Sequence, residues 1–497
     1  MKKSIMIIVT IVFIGLCSSC RHTDSVASSP PALSGSWDKS LVYIEISVAR
    51  YDGFQPWKLS QSFSVSCFGT AAGPDEILTI AEPFADASLI RVKCFGSNEF
   101  VPAEIKCIDY DINLCLLTIN DESNNPELKA VSFSEDYKKG MELVGNWLAP
   151  DGTSKTSRGF LDRALLLPCP TSYQRTLAFV VSNPSRQTSR GELYTHNKKA
   201  VGIAYSSSEK DNFLIPAETI NRFLKYTHNT NYAGFGTPGY ESYDLLDPSV
   251  RKYLKMPEEL KEGNYVSSVY SKGTGSDILQ FGDVVLAINN NPLNAYGRYR
   301  HPDYEDIAFE HLIQRQELNQ PISFTIWRNG EKIELETKTS RFDPKEMLVP
   351  YQEYDRQPEY IVIGGYVFQK LTRDYLQLWG ENWPGKAPPH LFYYYRNLAM
   401  KPSEDRKDIV VLSFVLPAPI NLGYQNLGRI VVKTFNGLEI RQMSDLLTAV
   451  SENPESPVHV VEFEMDYPTL IIPKQNLDQI DQTIAQIYGI QKTVNID

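Results

Sequence analysis

From Leu41 to about Thr227 the chain repeats one pattern: short runs in which apolar and polar residues alternate, broken by turn residues every few positions. In SFSVSCF, Phe63, Val65 and Cys67 fall on one face and Ser62, Ser64 and Ser66 on the other. EILTI, LIRVKCF, CLLTI, LAFVVS and AVGIAYS continue the series. A period of two marks a strand with one buried face, and many such strands at close spacing predict an all-β barrel or sandwich. FLIPAETINRFLKY then predicts one amphipathic helix, with Ile220, Phe223 and Leu224 on its apolar face. Residues 228–242, HNTNYAGFGTPGYES, are rich in Gly, Asn and Thr and read as a linker.

Two further units follow, as a chain of 497 residues requires if one domain takes about 150 residues. The second, 242–342, contains YVSSVYS, FGDVVLAINNNPL, a helical stretch around Ile307 to Gln316, and ISFTIWRNGEKIELET, in which Asn329-Gly330 is a strong hairpin signal. The third, 353–497, opens on YIVIGGYVFQKL and carries DIVVLSFVL and IVVKTFNGLEI. A helix from Ser444 turns Leu446, Leu447 and Val450 inward, and a final helix has Leu477, Ile480, Ile484 and Ile487 on one stripe. The shared order of elements makes these two units divergent copies of one module.

Lys2 and Lys3 precede an apolar run, Ile5 to Leu16, too short to cross a bilayer of about 30 Å but suited to an export signal, here 1–19. Cys17-Ser18-Ser19-Cys20 resembles a bacterial lipobox, which implies a lipid on Cys20. Cys17 stands where leucine is usual, and cleavage without lipidation is the alternative. Residues 20–40 are Ser/Pro-rich, as a tether would be. Arg21 after the cysteine resembles the sorting of lipoproteins to an outer membrane. The expected location is the cell envelope of a bacterium, periplasmic or anchored to the outer membrane.

The net charge of −11 is spread along the chain, which argues against a nucleic-acid partner. No cysteine or histidine pairs have metal-ligand spacing beyond the extreme N-terminus, so neither a metal nor a cofactor is expected. Five cysteines remain in the body: Cys67, Cys94, Cys107, Cys115 and Cys169. Their odd number leaves at least one thiol free, and most read as small buried hydrophobes.

The segments GPDEILTIAEPFADA, DYDINLCLLTI, VGNWLAPDGTSKTSRGFLDRAL, QTSRGELYTHNKKAVGIAY and NFLIPAETINRFL occur in an order that resembles the Deg/HtrA (protease Do-like) family. The third unit is most similar to the plant-type branch. The resemblance implies a mainly β fold: a trypsin-like double β-barrel over 41–227, followed by two PDZ-like α+β domains at 242–342 and 353–497. It puts Ser189 at the position of the nucleophile, Glu82 at that of the histidine, Asn113 at that of the aspartate, and Gln187 at an oxyanion-hole glycine.

A serine hydroxyl needs a base to take its proton, and the base needs an orienting carboxylate. No histidine lies between His22 and His196. The expected function is therefore that of a pseudoprotease binding peptides or unfolded protein as a scaffold, chaperone or regulator of envelope protein quality control. The alternative is a serine endopeptidase using Ser189 with a non-standard base. The residues aligned with a PDZ carboxylate-binding loop are Gly263, Asn264, Tyr265 and Val266. Expected partners are polypeptide segments or C-termini and further copies of the chain in a trimer-based oligomer, with the membrane reached through the lipid alone.

Overall fold

The computed structural model describes residues 37–119, 128–228 and 232–496. The signal, Cys20 and nearly all of the tether lie outside the described residues. Strands β1 (Leu41–Val48), β2 (Phe63–Ala71), β3 (Glu76–Ile80), β4 (Ala87–Cys94), β5 (Val101–Asp109) and β6 (Leu114–Ile119) close a barrel in the order β1-β2-β3-β6-β5-β4. Strands β7 (Glu142–Leu148), β8 (Ser154–Pro168), β9 (Arg175–Ser182), β10 (Leu193–His196), β11 (Lys199–Ser207) and β12 (Asp211–Pro216) close a second in the order β10-β11-β12-β9-β8-β7. Closure satisfies every strand edge, so alternating sequences of this kind need no third layer to cover them.

Val42, Ile44, Ile46 and Val48 fill the first barrel with Cys67 and Cys115. Phe63, expected on that buried face, is 44% exposed because it pairs with Val48, the last residue of β1, at the rim. All five body cysteines are free thiols, and all but the half-buried Cys107 are buried. Burial pushes Cys67 up to about 12, which removes its nucleophilic character. The helix Ala217–Thr227 buries Ile220 and Phe223 in the core between the barrels, with Leu224 packed at its margin.

The second unit is a sheet of β13 (Tyr240–Tyr243), β14 (Asn264–Val269), β15 (Val284–Ile288), β16 (Asn291–Pro292), β19 (Pro321–Arg328) and β20 (Glu331–Lys338), running β13-β14-β15-β19-β20. A separate hairpin, β17 (Arg298–His301) with β18 (Glu305–Ala308), precedes the short helix Glu310–Gln314. Two expectations are corrected here. Ile307 lies on a strand rather than a helix, and the segment expected to be a linker contains β13 and the buried Phe235 and Thr237. Glycine- and threonine-rich composition signals a bent backbone, and packing decides whether that backbone is solvated.

The third unit is an eight-stranded sheet with a helical excursion from Arg373 to Leu398. Its final helix, Leu477–Tyr488, buries Leu477 and Ile484, but Ile487 is 69% exposed. Leu447, expected to turn inward, is 42% exposed, while the neighbouring Ala449 is fully buried. In both helices the covered face is narrower than the apolar stripe.

These units interlock into one body, Trp37–Asp497. Between β1 and β2, Trp57 leaves the first barrel and enters the third unit, where Nε1 donates to the Tyr488 carbonyl at 3.2 Å. The second barrel and second unit share a core through Tyr137, Phe179 and Tyr304. Beside it, Glu218 binds His311 Nε2 at 3.0 Å and accepts from Tyr304 Oη at 3.1 Å. Burial disfavours the Glu218 charge, but the His311 ring, Arg315 and the Tyr304 hydroxyl outweigh it and hold the carboxyl down to about 2.

An acid whose pKa is lowered by folding stabilises the fold above its unfolded value, and that contribution is lost as pH falls toward the folded value. Glu218→Gln is therefore expected to cost about 2 kcal/mol at pH 7 and to lose most of that difference as the pH falls from 5 toward 2. Urea titrations of both proteins across that range check the prediction.

Candidate active site

Glu82 and Asn113 meet beside β3 and β6, and Ser189 lies on the loop before β10, which joins the first barrel where the Phe68 N–H donates to the Arg190 carbonyl. Glu82 begins a single 3-10 turn, Glu82–Phe84, just after β3. Asn113 sits immediately before β6 in the left-handed region, φ 56°, a conformation that asparagine tolerates better than most residues. Its Oδ1 accepts from the backbone N–H groups of Ala81, at 3.1 Å, and Glu82, at 2.9 Å. Asn113 is 1% exposed, and its Nδ2 is buried without an acceptor. The amide thus holds the Glu82 backbone but presents a donor where an orienting carboxylate would present a second acceptor.

Glu82 is exposed at the mouth of the cleft, yet the surrounding wall desolvates its carboxyl group and raises its pKa, with Arg190 and Arg50 pulling the other way. It lines a cavity of about 230 Å³ with Arg50, Asp86, Thr171, Tyr354 and Asp374. Ser189 is half-buried. Among the described residues its hydroxyl makes no hydrogen bond, to Glu82 or to any other group. The Arg190 guanidinium donates to the Ser66 carbonyl at 3.1 Å.

The loop around Ser189 is organised by a buried acid that the family positions do not include. Glu192, 5% exposed, points inward, and its Oε2 accepts from the Arg190 N–H at 2.7 Å. Burial raises the Glu192 pKa overall, with the N–H groups of Arg190, Glu192 and Ser189 pulling the other way. The Ser189 N–H, which an oxyanion hole would aim at substrate, thus faces an internal carboxyl group. Gln187 keeps an ordinary φ, the only left-handed residue from 187 to 192 being Gly191 at 96°. Its Nε2 donates to the Ser208 carbonyl at 2.7 Å.

Below the loop, the fully buried Asn212 donates to Tyr194 Oη at 2.8 Å and to Thr188 Oγ1 at 3.0 Å, and accepts from the Thr188 N–H at 3.1 Å. Tyr194 and Asn212 were missed by sequence reasoning, because a polar residue in an alternating strand carries no sign that it will be buried.

The second unit requires a correction. Residues Gly263 to Val266 were expected to form a carboxylate-binding loop, but Asn264 to Val266 lie on β14, an interior strand: Tyr265 and Val266 pair with β13, and Asn264 and Tyr265 pair with β15. Asn264 is 2% exposed and donates to the Tyr243 carbonyl at 2.8 Å. Together with β20, β13 is an edge strand of this sheet. It borders a cavity of about 440 Å³ to which Phe309, Glu310 and Tyr296 also contribute. The third unit closes the far wall, with Arg396 3.5 Å from Glu241 and the Met400 carbonyl accepting from the Ser271 N–H at 3.3 Å.

A Cβ placed on Gly191 would lie 2.1 Å from the Phe68 carbonyl oxygen. Gly191→Ala is therefore expected to lower stability by about 3 kcal/mol through clash and backbone strain, as measured by chemical denaturation.

The PDZ domain family (PDZ_3) matches residues 349–497. Putative protease Do-like 3, mitochondrial, of Arabidopsis thaliana is 24% identical over 412 residues, covering 80% of this chain and 69% of that protein. Protease Do-like 2, chloroplastic, of the same plant is 25% identical over 453 residues, covering 89% and 72%. Among solved structures, an HtrA-type protease AlgW with decapeptide aligns at TM-score 0.46 and 17% identity, covering 62% of this chain and 98% of that one. Over most of its length this chain is similar to the Do-like proteases of the Deg/HtrA family, and its double barrel is followed by a C-terminal segment that matches the PDZ domain family.

Proposed function

We propose that this Deg/HtrA protein is an exported, lipid-anchored pseudoprotease that binds polypeptide segments as a scaffold, chaperone or regulator of envelope protein quality control. The observation that carries the reading is the buried Glu192 side chain, which turns into the loop beside Ser189 and accepts from the Arg190 N–H. Hydrolysis of a peptide needs a base beside the serine and free donors for the developing oxyanion. Here Asn113 has no acceptor left to orient a base, and Ser189 has no hydrogen-bonded partner to take its proton.

Binding rests on a different physical resource. The unpaired β13 edge offers main-chain donors and acceptors to an extended segment, which is the strand-addition mode of PDZ modules. The adjoining cavity is lined by Tyr240, Tyr296 and Phe309, which suits apolar side chains of an unfolded chain. Assembly into trimer-based oligomers is part of this proposal, as is the lipid on Cys20.

A fluorophosphonate probe on the purified mature protein is expected to give no Ser189-dependent labelling, and casein is expected to stay intact. Labelling that disappears in Ser189→Ala, together with casein cleavage, would establish the endopeptidase alternative with Glu82 as the base. In the native host, Cys20→Ala is expected to move the protein from the membrane to the soluble envelope fraction, as fractionation and immunoblotting would show. An unchanged membrane share would overturn the anchor.

A further inference from the structure

The third unit holds a cavity of about 520 Å³ bounded by Val450 and Pro454, His459, Lys474 and the start of the helix Leu477–Tyr488. It is separate from both the Glu82 cleft and the β13 edge. His459 lines it while remaining only 4% exposed. The orientation of this ring follows from its neighbour. Asn436 Oδ1 accepts from the Val460 N–H at 3.0 Å, and its Nδ2 donates to the Ala449 carbonyl at 2.7 Å, with a longer contact to Glu452 O at 3.4 Å. With the amide so fixed, the Asn436 Nδ2 that meets His459 Nδ1 at 2.9 Å is a donor. Nδ1 must then accept, and in a neutral imidazole the proton sits on Nε2. Burial, aided by the Lys474 charge, lowers His459 to about 4, so the ring is neutral at pH 7. Its Nε2–H has no partner among the described residues.

Two other donors border the same space. Lys474 Nζ gives one hydrogen bond to the Asn453 carbonyl at 2.6 Å, which leaves two of its three N–H groups. The helix Leu477–Tyr488 runs twelve residues, and the Asn476 side chain makes no capping bond. The Leu477 N–H goes to the Lys474 carbonyl at 3.2 Å, leaving the N–H groups of Asp478 and Gln479 as open first-turn donors.

We infer that this cavity is an anion site that takes a single carboxylate, held by His459 Nε2–H, the Lys474 ammonium and the first-turn N–H groups of Asp478 and Gln479. The charge balance selects the ligand. One ammonium faces the site, and the Asp478 side chain lies in the same turn, so a monoanion is favoured over a dianionic phosphate. Val450, Pro454 and Leu477 supply an apolar wall for the carbon skeleton. Such a carboxylate can belong to a polypeptide or to a small free acid.

Calorimetric titration of the full mature chain with acetate, inorganic phosphate, and one hexapeptide as free acid and as C-terminal amide tests the site. Saturable binding of a carboxylate is expected. It should weaken about tenfold in Lys474→Met and again in His459→Phe, on the scale of one charge-assisted hydrogen bond. Preference for the free-acid peptide over acetate identifies a polypeptide source, and the reverse a small acid. Lys474 is half-exposed, so Lys474→Met keeps the test decisive should His459→Phe fail to fold. No saturable carboxylate binding, binding unchanged in Lys474→Met, or phosphate bound more tightly than either carboxylate would overturn the inference.

Discussion

The carboxylate of Asp111 is almost completely buried, and its ion-pair partner is Arg341, 230 residues away, at 2.7 Å. Asp111 lies two residues before Asn113, on the loop that holds the Glu82 backbone, and Arg341 lies just past the last strand of the second unit. A buried carboxylate left without its cation is strongly destabilising, so the loop at the centre of the site depends on a residue outside the double barrel. Tyr232, which donates to Asp109, and Trp57, which reaches the third unit, make the same kind of link. The site's backbone is therefore a property of the whole body from Trp37 onward.

On the proposed reading, that body keeps the scaffold of a protease site while the groups at its catalytic positions differ. Asn113 still holds the N–H groups of Ala81 and Glu82, as an orienting residue must. Gly191 still makes the close approach to Phe68. The groups at the catalytic positions differ: the Glu82 carboxyl group has no hydrogen-bonded partner among the described residues, and Glu192 accepts from the Arg190 N–H inside the loop. The surfaces proposed for binding lie elsewhere, on an edge strand of the second unit and in a polar hollow of the third.

Much of the fold was legible because period-two alternation is a local property. The runs read as strands coincide with β2, β3, β4, β6, β9 and β11, and the hairpin at Asn329-Gly330 joins β19 to β20. Where the reading failed, burial was decided by distant contacts. Phe63 lies at a rim, Leu447 and Ile487 lie beyond the covered width of their helices, and the glycine-rich stretch before Tyr240 is packed rather than solvated. The loop at Gly263 has the composition of a carboxylate-binding loop, but strand order makes it interior. Strand order is set by long-range pairing, to which a local pattern is blind.

The sequence by itself determined which side chains are present: no histidine from 23 to 195, a serine at 189, a glutamate at 192 and an asparagine at 113. Those identities bound the chemistry, because folding cannot add a side chain that the sequence lacks. Only the tertiary structure decided where these groups point, that Glu192 turns inward to the loop N–H groups and that Asn436 fixes the proton of His459 on Nε2. Orientation depends on hydrogen bonds between residues far apart in the chain, and these exist only once the body has closed around them.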